Sequence, residues 1–252
     1  MKKTIILILC FVFVLTLTSC GKDTVVESND TEKVTDAEVM SHAEYAAAEI
    51  GSDVTVETYI QAKQSWWEGK ATFYTQAPDG AYFIYQMPCT KEEFDALAVG
   101  TKIRVSGKKS EWSGESEITD ATFKMLDGNY IAEALDVTAL LGTDELIAHQ
   151  NELVHFTGMT VEAKTDTAGN EAAFLFNWDG TGEEGSDLYF DVSVNGSKYT
   201  FTVESYLCGP DTEVYKAVKD LKIGDVIDLT GYLYWYEGVN PHIIAVSKTA
   251  AP

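Results

Sequence analysis

One sequence pattern occurs twice in this chain of 252 residues, and that repeat constrains the fold more than any other feature. The first copy spans residues 97–114 and the second spans residues 221–238. The matching positions are Leu97, Gly100, Ile103, Gly107 and Gly114 in the first copy, and Leu221, Gly224, Ile227, Gly231 and Gly238 in the second. An internal repeat of this length indicates two copies of one structural unit.

Both copies have the same predicted order of elements: three strands, a short helix and two further strands. Alternating apolar residues over 54–60 and 153–163 predict the first strand of each copy, and short helices are predicted over 91–97 and 213–221. This order, with Leu-x-x-Gly-x-x-Ile after each helix, resembles the oligonucleotide/oligosaccharide-binding (OB) fold, a five-stranded Greek-key barrel. The resemblance implies an all-β fold class, β-rich with short helices, in which two OB-fold-like barrels follow each other.

The N-terminus has the pattern of an export signal. Lys2 and Lys3 precede an apolar run over 5–17, which is too short to span a bilayer comfortably. Leu17-Thr-Ser-Cys20 then resembles the lipobox of bacterial lipoproteins. The resemblance implies cleavage before Cys20, lipid attached to its sulfur, and a location on the extracytoplasmic face of the cell membrane. An ordinary cleaved signal with an incidental cysteine is the alternative.

The predicted organisation therefore has five parts. They are a lipoprotein signal peptide (1–19), a disordered acidic tether (20–35), a first barrel with an N-terminal helix (36–127), a helical linker (128–151) and a second barrel (152–252). As a whole the chain resembles tandem OB-fold lipoproteins of Gram-positive bacteria, a likeness that implies no particular activity.

The charge balance bears on the class of partner. Lysine and arginine number 18 against 40 aspartates and glutamates, and the formal net charge is −22. Nucleic-acid binding takes much of its affinity from basic side chains that neutralise phosphates, so this composition disfavours nucleic acid as a partner. One small basic patch runs against the trend, at Lys102, Arg104, Lys108 and Lys109, although such lysines are also common at strand edges.

Aromatic residues, 12% of the chain, are the main candidates for ligand contacts. Strand alternation places three tyrosines outside the second barrel, and two adjacent tryptophans lie in the first interstrand loop, where OB folds often bind ligands. The candidate residues are Trp66, Trp67, Trp112, Tyr232, Tyr234 and Tyr236. An exposed tyrosine ridge would stack on sugar rings or bases. The alternative is that these side chains pack between the two domains or against a protein partner.

Two further groups of residues are weaker candidates. Cys89 and Cys208 occupy similar places in the two copies and would either form a disulfide outside the cytoplasm or remain buried free thiols. A glycine-rich loop with Asp179, Glu183 and Asp187 offers oxygen ligands for a metal, without the spacing of a known calcium loop.

Signatures of catalysis and of cofactor binding are missing from the sequence, which has no HExxH pattern, phosphate-binding loop, dinucleotide fingerprint or CxxC pair. We therefore expect no enzymatic activity and no cofactor. The sequence favours a surface-anchored module that binds a carbohydrate or a peptide through exposed aromatic residues. A structural or assembly lipoprotein with a protein partner is the first alternative, and nucleic-acid binding by an OB fold is the second.

Overall fold

The computed structural model describes residues 38–249 and confirms the predicted all-β fold class. The predicted signal peptide, the predicted lipidation site Cys20 and the predicted tether lie outside the described residues. Two five-stranded barrels account for most of the described chain. Among residues 38–249, no helix combines the length and the apolar character needed to cross a membrane.

The first barrel follows a short helix, α1 (His42–Ala47), whose N-terminus is capped by a capping box of Ser41 and Glu44. Its strands are β1 (Asp53–Lys63), β2 (Lys70–Ala77), β3 (Gly80–Pro88), β4 (Thr101–Trp112) and β5 (Glu115–Asn129), with α2 (Lys91–Ala96) between β3 and β4. They form a closed barrel in the order β1-β2-β3-β5-β4. The contact of β3 with β5 is parallel and the others are antiparallel, which is the pairing expected of an OB fold.

The second barrel repeats this arrangement. The remaining strands are β6 (Leu135–Asp136), β7 (Leu153–Glu162), β8 (Lys164–Thr165), β9 (Glu171–Ala172), β10 (Leu175–Phe176), β11 (Leu188–Val194), β12 (Ser197–Val203), β13 (Val226–Tyr232) and β14 (His242–Lys248), with α3 (Glu213–Lys219) between β12 and β13. The sheet has the order β11-β12-β14-β13-β7, and the pairing of β11 with β7 closes it into a barrel. Strands β12 and β14 are parallel, as β3 and β5 are in the first copy.

The segment between the barrels differs from the predicted helical linker over 128–151. It holds the two-residue strand β6 and two single-turn 3-10 helices, Thr138–Leu140 and Leu146–His149. Strand β6 pairs in parallel with β7, and Val137 beside it is fully buried in the second core. Isolated helices this short are marginal in water, so strand pairing and burial decide the local structure here.

The repeated glycines have a common physical cause. Gly107 in β4 and Gly231 in β13 both lie at β-bulges. A Cβ atom on Gly107 would lie 2.6 Å from the carbonyl oxygen of Thr119, and one on Gly231 would lie 2.4 Å from the carbonyl oxygen of His242. Neither position has room for a side chain, so the two barrels need glycine at the same place.

Each barrel has its own hydrophobic core, and the repeated Leu and Ile positions lie in them. Cys89 belongs to the first core and Cys208 to the second, and both are free thiols. The structure thus has the second of the two arrangements considered for this pair, buried free thiols, and not a disulfide.

Candidate functional site

The two barrels meet through an aromatic contact. Tyr74 and Phe83 of the first barrel and Tyr232 of the second form a buried cluster, in which the rings of Tyr74 and Tyr232 stack with centroids 4.6 Å apart. Tyr232 is only 3% exposed. The prediction of an exposed tyrosine ridge is therefore wrong at this residue: its side chain does lie outside the second barrel, but it is covered by the first.

A cleft of about 440 Å³ opens beside this contact and is lined by both barrels. Three aromatic side chains at its edge are exposed: Trp67 and Tyr206 at 66% each and Tyr85 at 42%. Half-buried Tyr234 and buried Phe83 line the cleft further in, with ring centroids 5.3 Å apart in an edge-to-face arrangement. Such a row of aromatic faces suits a planar ligand.

The backbone explains why Trp67 is exposed while Trp66 is not. The Trp67 and Lys70 backbones pair across a two-residue turn, in which Glu68 (φ 47°) and Gly69 (φ 83°) both have positive φ, as in the tight turns that join hairpin strands. Trp67 therefore projects from the turn. Trp66 packs against the first core and donates its indole N–H to the carbonyl of Cys89 at 2.9 Å.

The second barrel also contacts the loop that carries Trp67 at the edge of the cleft. The Ser65 backbone N–H donates to the carbonyl of Tyr206 at 2.8 Å, which ties the loop before Trp67 to the loop after β12. Tyr206 and Tyr85 were not among the residues singled out in the sequence. Tyr206 has no counterpart in the repeat pattern, and Tyr85 reads in sequence as an ordinary strand residue.

A neutral histidine lies within the cleft. The rings of His242 and Tyr234 stack with centroids 4.1 Å apart, and the His242 Nδ1 atom lies 2.5 Å from the Tyr74 hydroxyl. Burial lowers the pKa of His242 to about 3. At neutral pH this imidazole is uncharged, so it offers one donor and one acceptor nitrogen.

A carboxyl group also lines the cleft. Glu204 accepts hydrogen bonds from the backbone N–H groups of Tyr206 (3.2 Å) and Leu207 (2.8 Å). Burial, with a smaller contribution from nearby Asp187, raises the pKa of Glu204 to about 7, although these two hydrogen bonds act in the opposite direction. Glu204 thus changes charge near neutral pH.

Positive charge is scarce at this site. Lys70 is the one lysine or arginine among the described residues that line the cleft, and its amine donates to the side chain of Gln86 at 2.7 Å. The predicted basic patch lies elsewhere and is engaged within the fold. Its members bind Glu57 (Lys102 and Arg104), Asp53 (Lys108) and three carbonyl groups at the C-terminal end of α1 (Lys109).

The other candidate residues do not join the cleft. Trp112 (60% exposed) and Tyr236 (48% exposed) do not line it. In the glycine-rich loop, Asp179 accepts from Thr181, and Asp187 accepts from the backbone of Ser205. Within residues 38–249, no three histidine, cysteine or acidic side chains converge as metal ligands would.

The comparisons with known proteins concern structure alone. No protein-family model matches the chain, and no curated protein matches it in sequence. Several solved structures are similar in fold at low sequence identity. A murine DNA-binding protein bound to double-stranded DNA is 13% identical, with a TM-score of 0.36 over 79% of this chain and 97% of that one.

Two further solved structures are also similar in fold. The Ifi202 HINa domain in complex with double-stranded DNA is 11% identical, with a TM-score of 0.35 over 78% of this chain and 98% of that one. A replication protein A heterotrimer bound to single-stranded DNA is 9% identical, with a TM-score of 0.29 over 81% of this chain and 51% of that one.

These findings correct two predictions made from the sequence. The ligand was predicted to be a carbohydrate or a peptide, with nucleic acid disfavoured, whereas these neighbours were solved with DNA. The prediction relied on an exposed ridge that includes Tyr232, which is buried. It also relied on net charge, which weakens contacts to phosphates but leaves base stacking untouched.

Proposed function

We propose that this protein is a lipid-anchored, non-enzymatic binding protein whose inter-barrel cleft takes the bases of a short single-stranded nucleic acid. The observation that carries the proposal is the row of exposed rings, Trp67, Tyr206 and Tyr85, around the stacked pair of Tyr234 and His242. The similar structures add no argument of their own at TM-scores of 0.29 to 0.36.

Stacking on aromatic side chains is the interaction that this cleft offers in quantity. Each base that stacks on such a ring contributes roughly 1–3 kcal/mol, and every base has a face to offer. An exposed indole and two exposed phenols at one edge therefore provide enough surface for two or three consecutive bases. A single strand presents its bases in this way, whereas a duplex keeps them paired.

The charge of the chain limits the length of nucleic acid that can bind. With a net charge of −22 and Lys70 as the lysine at the cleft, few phosphates can be neutralised. Affinity must then come from the bases, and a long strand would add repulsion with each phosphate. A short strand, or the end of a longer one, fits this balance best.

The lipid anchor is proposed from the lipobox-like Leu17-Thr-Ser-Cys20. An acidic surface gains nothing from anionic lipid head groups, so a covalent lipid would be needed to hold the domains at a membrane. The cleft would then face the outside of the cell.

Replacing Trp67 by alanine tests whether bases stack in the cleft. We expect this variant to bind a short, labelled single-stranded DNA about tenfold more weakly, because one base loses its stacking partner. Fluorescence anisotropy of the labelled strand measures the affinity. Trp112→Ala is the matched control, since Trp112 is similarly exposed but does not line the cleft.

The control should keep the affinity of the unchanged protein. An equal loss in both variants would place binding outside the cleft. Absence of binding by the unchanged protein, at low salt and micromolar concentration, would refute the proposed function.

A further inference from the structure

We propose that the cleft selects guanine over the other bases, with Glu204 as the acceptor and His242 as the donor that read the base edge. This inference rests on the proposed function and names its preferred ligand. Both residues line the same cleft as the aromatic rings, and neither has a counterpart in the repeated pattern.

Glu204 is held in place as an acceptor. Its carboxyl oxygens each accept one backbone N–H, from Tyr206 and Leu207, so the side chain cannot rotate freely. Each carboxylate oxygen has more than one lone pair, and one direction on each oxygen remains for a ligand. A carboxylate held in this way accepts two parallel donors well.

The hydrogen bonds around His242 fix which of its nitrogens donates. Among residues 38–249, His242 Nδ1 at 2.5 Å is the one acceptor that contacts the buried Tyr74 hydroxyl, since the Gln64 amide group at 3.5 Å is a donor. We therefore assign the Tyr74 hydroxyl proton to the bond with Nδ1. Nδ1 is then the acceptor, and the proton of the neutral ring lies on Nε2. The Nε2 atom has no hydrogen-bond partner within residues 38–249, and the ring lines the cleft.

Guanine matches this pair of groups best. Its Watson–Crick edge places the acceptor O6 beside two adjacent donors, N1–H and the N2 amino group. Adenine and cytosine offer one amino donor beside a ring acceptor, and thymine has a single N–H between two carbonyl oxygens that would repel a carboxylate. Guanine thus makes three hydrogen bonds where adenine and cytosine make two.

A base substitution series tests this selection. A short thymidine strand carries one central base (guanine, hypoxanthine, adenine, cytosine or thymine), and anisotropy gives the affinity of each strand for the purified protein. We expect guanine to bind roughly tenfold more tightly than thymine. Hypoxanthine keeps O6 and N1–H but lacks the amino group, so we expect an intermediate affinity.

Two further measurements isolate the contribution of Glu204 to the guanine preference. The Glu204→Gln variant should lose most of the guanine preference, measured as the ratio of its affinities for the guanine strand and the all-thymidine strand, because glutamine offers one acceptor oxygen in place of two. In the unchanged protein, the guanine preference should grow from pH 6 to pH 8 as the carboxyl group ionises near pH 7. This pH series does not depend on the folding of a variant.

The outcomes separate the two proposals. Equal affinity for all five strands, or a guanine preference that survives in Glu204→Gln and is flat from pH 6 to pH 8, would overturn the selection of guanine while leaving base binding in place. Failure to bind any strand would overturn the proposed function and the selection with it.

Discussion

Replacing Tyr232 by alanine is expected to lower the free energy of unfolding by about 3–5 kcal/mol, the range seen when a buried aromatic side chain is deleted from a core. Tyr232 is 3% exposed and stacks on Tyr74, with 27° between the ring planes. Its removal opens a cavity in the contact between the barrels and exposes Phe83. The size of the effect follows from that burial.

Urea unfolding monitored by tryptophan fluorescence measures the change. Tyr236→Ala is the matched control, because Tyr236 lies four residues further along, is 48% exposed, and should change stability by no more than about 0.5 kcal/mol. Equal effects of the two substitutions would mean that the barrels do not rely on this contact. A loss of cooperativity in Tyr232→Ala alone would instead show the barrels unfolding separately.

Raising the pH from 5 to 8.5 is expected to destabilise the protein by several kcal/mol, largely through Glu115. This residue begins β5, is fully buried, and accepts the backbone N–H of Trp235 from the second barrel at 2.8 Å. Its other oxygen, Oε1, has no hydrogen-bond partner within the described residues, and neither does the buried side-chain oxygen of Asn151. Burial raises the pKa of Glu115 to about 8.

The direction of the effect follows from the two pKa values. In the unfolded chain the carboxyl group ionises near its ordinary value of 4.5, whereas in the folded protein it stays protonated until about pH 8. The unfolded state therefore releases its proton first, so the stabilising contribution is complete below pH 4.5 and is lost as the pH rises to about 8. The total is on the order of 4 kcal/mol.

The variant Glu115→Gln isolates this group. Glutamine keeps an acceptor for Trp235 and does not ionise, so the variant should match the unchanged protein at pH 5 and exceed its stability at pH 8.5. Glu117 and Glu204 also have raised pKa values and add a dependence of the same sign, whereas the lowered pKa of His242 acts in the opposite direction below pH 6.5. These contributions are common to the two proteins. Identical urea midpoints of the two proteins at pH 8.5 would refute the raised pKa of Glu115.

The fold could be predicted because its constraints are local and occur twice. The glycines at 107 and 231 are required by backbone carbonyls that leave no room for Cβ, so they persist in both copies and align in sequence. The apolar positions before these glycines, such as Ile103 and Ile227, also align in the two copies, because both side chains are fully buried. The linker could not be predicted in this way, because Leu135 and Asp136 form a strand only through their pairing with β7.

The cleft was harder to predict because residues distant in sequence form it. Tyr74 and Tyr232 are 158 positions apart, and their contact helps to bury Tyr232, while Tyr234 remains half-exposed. His242 and Glu204 read in sequence as ordinary strand-end residues. Their shifted pKa values arise from burial in the cleft, which no local sequence pattern records.

The central claim is that bases, and not phosphates, bind in the inter-barrel cleft. The most direct measurement compares a short single-stranded DNA with an abasic strand of the same length and charge, both titrated into the purified protein at moderate salt. We expect saturable binding of the strand with bases and no binding of the abasic strand. Equal binding of both strands would show that the backbone is recognised and would contradict base binding in the cleft.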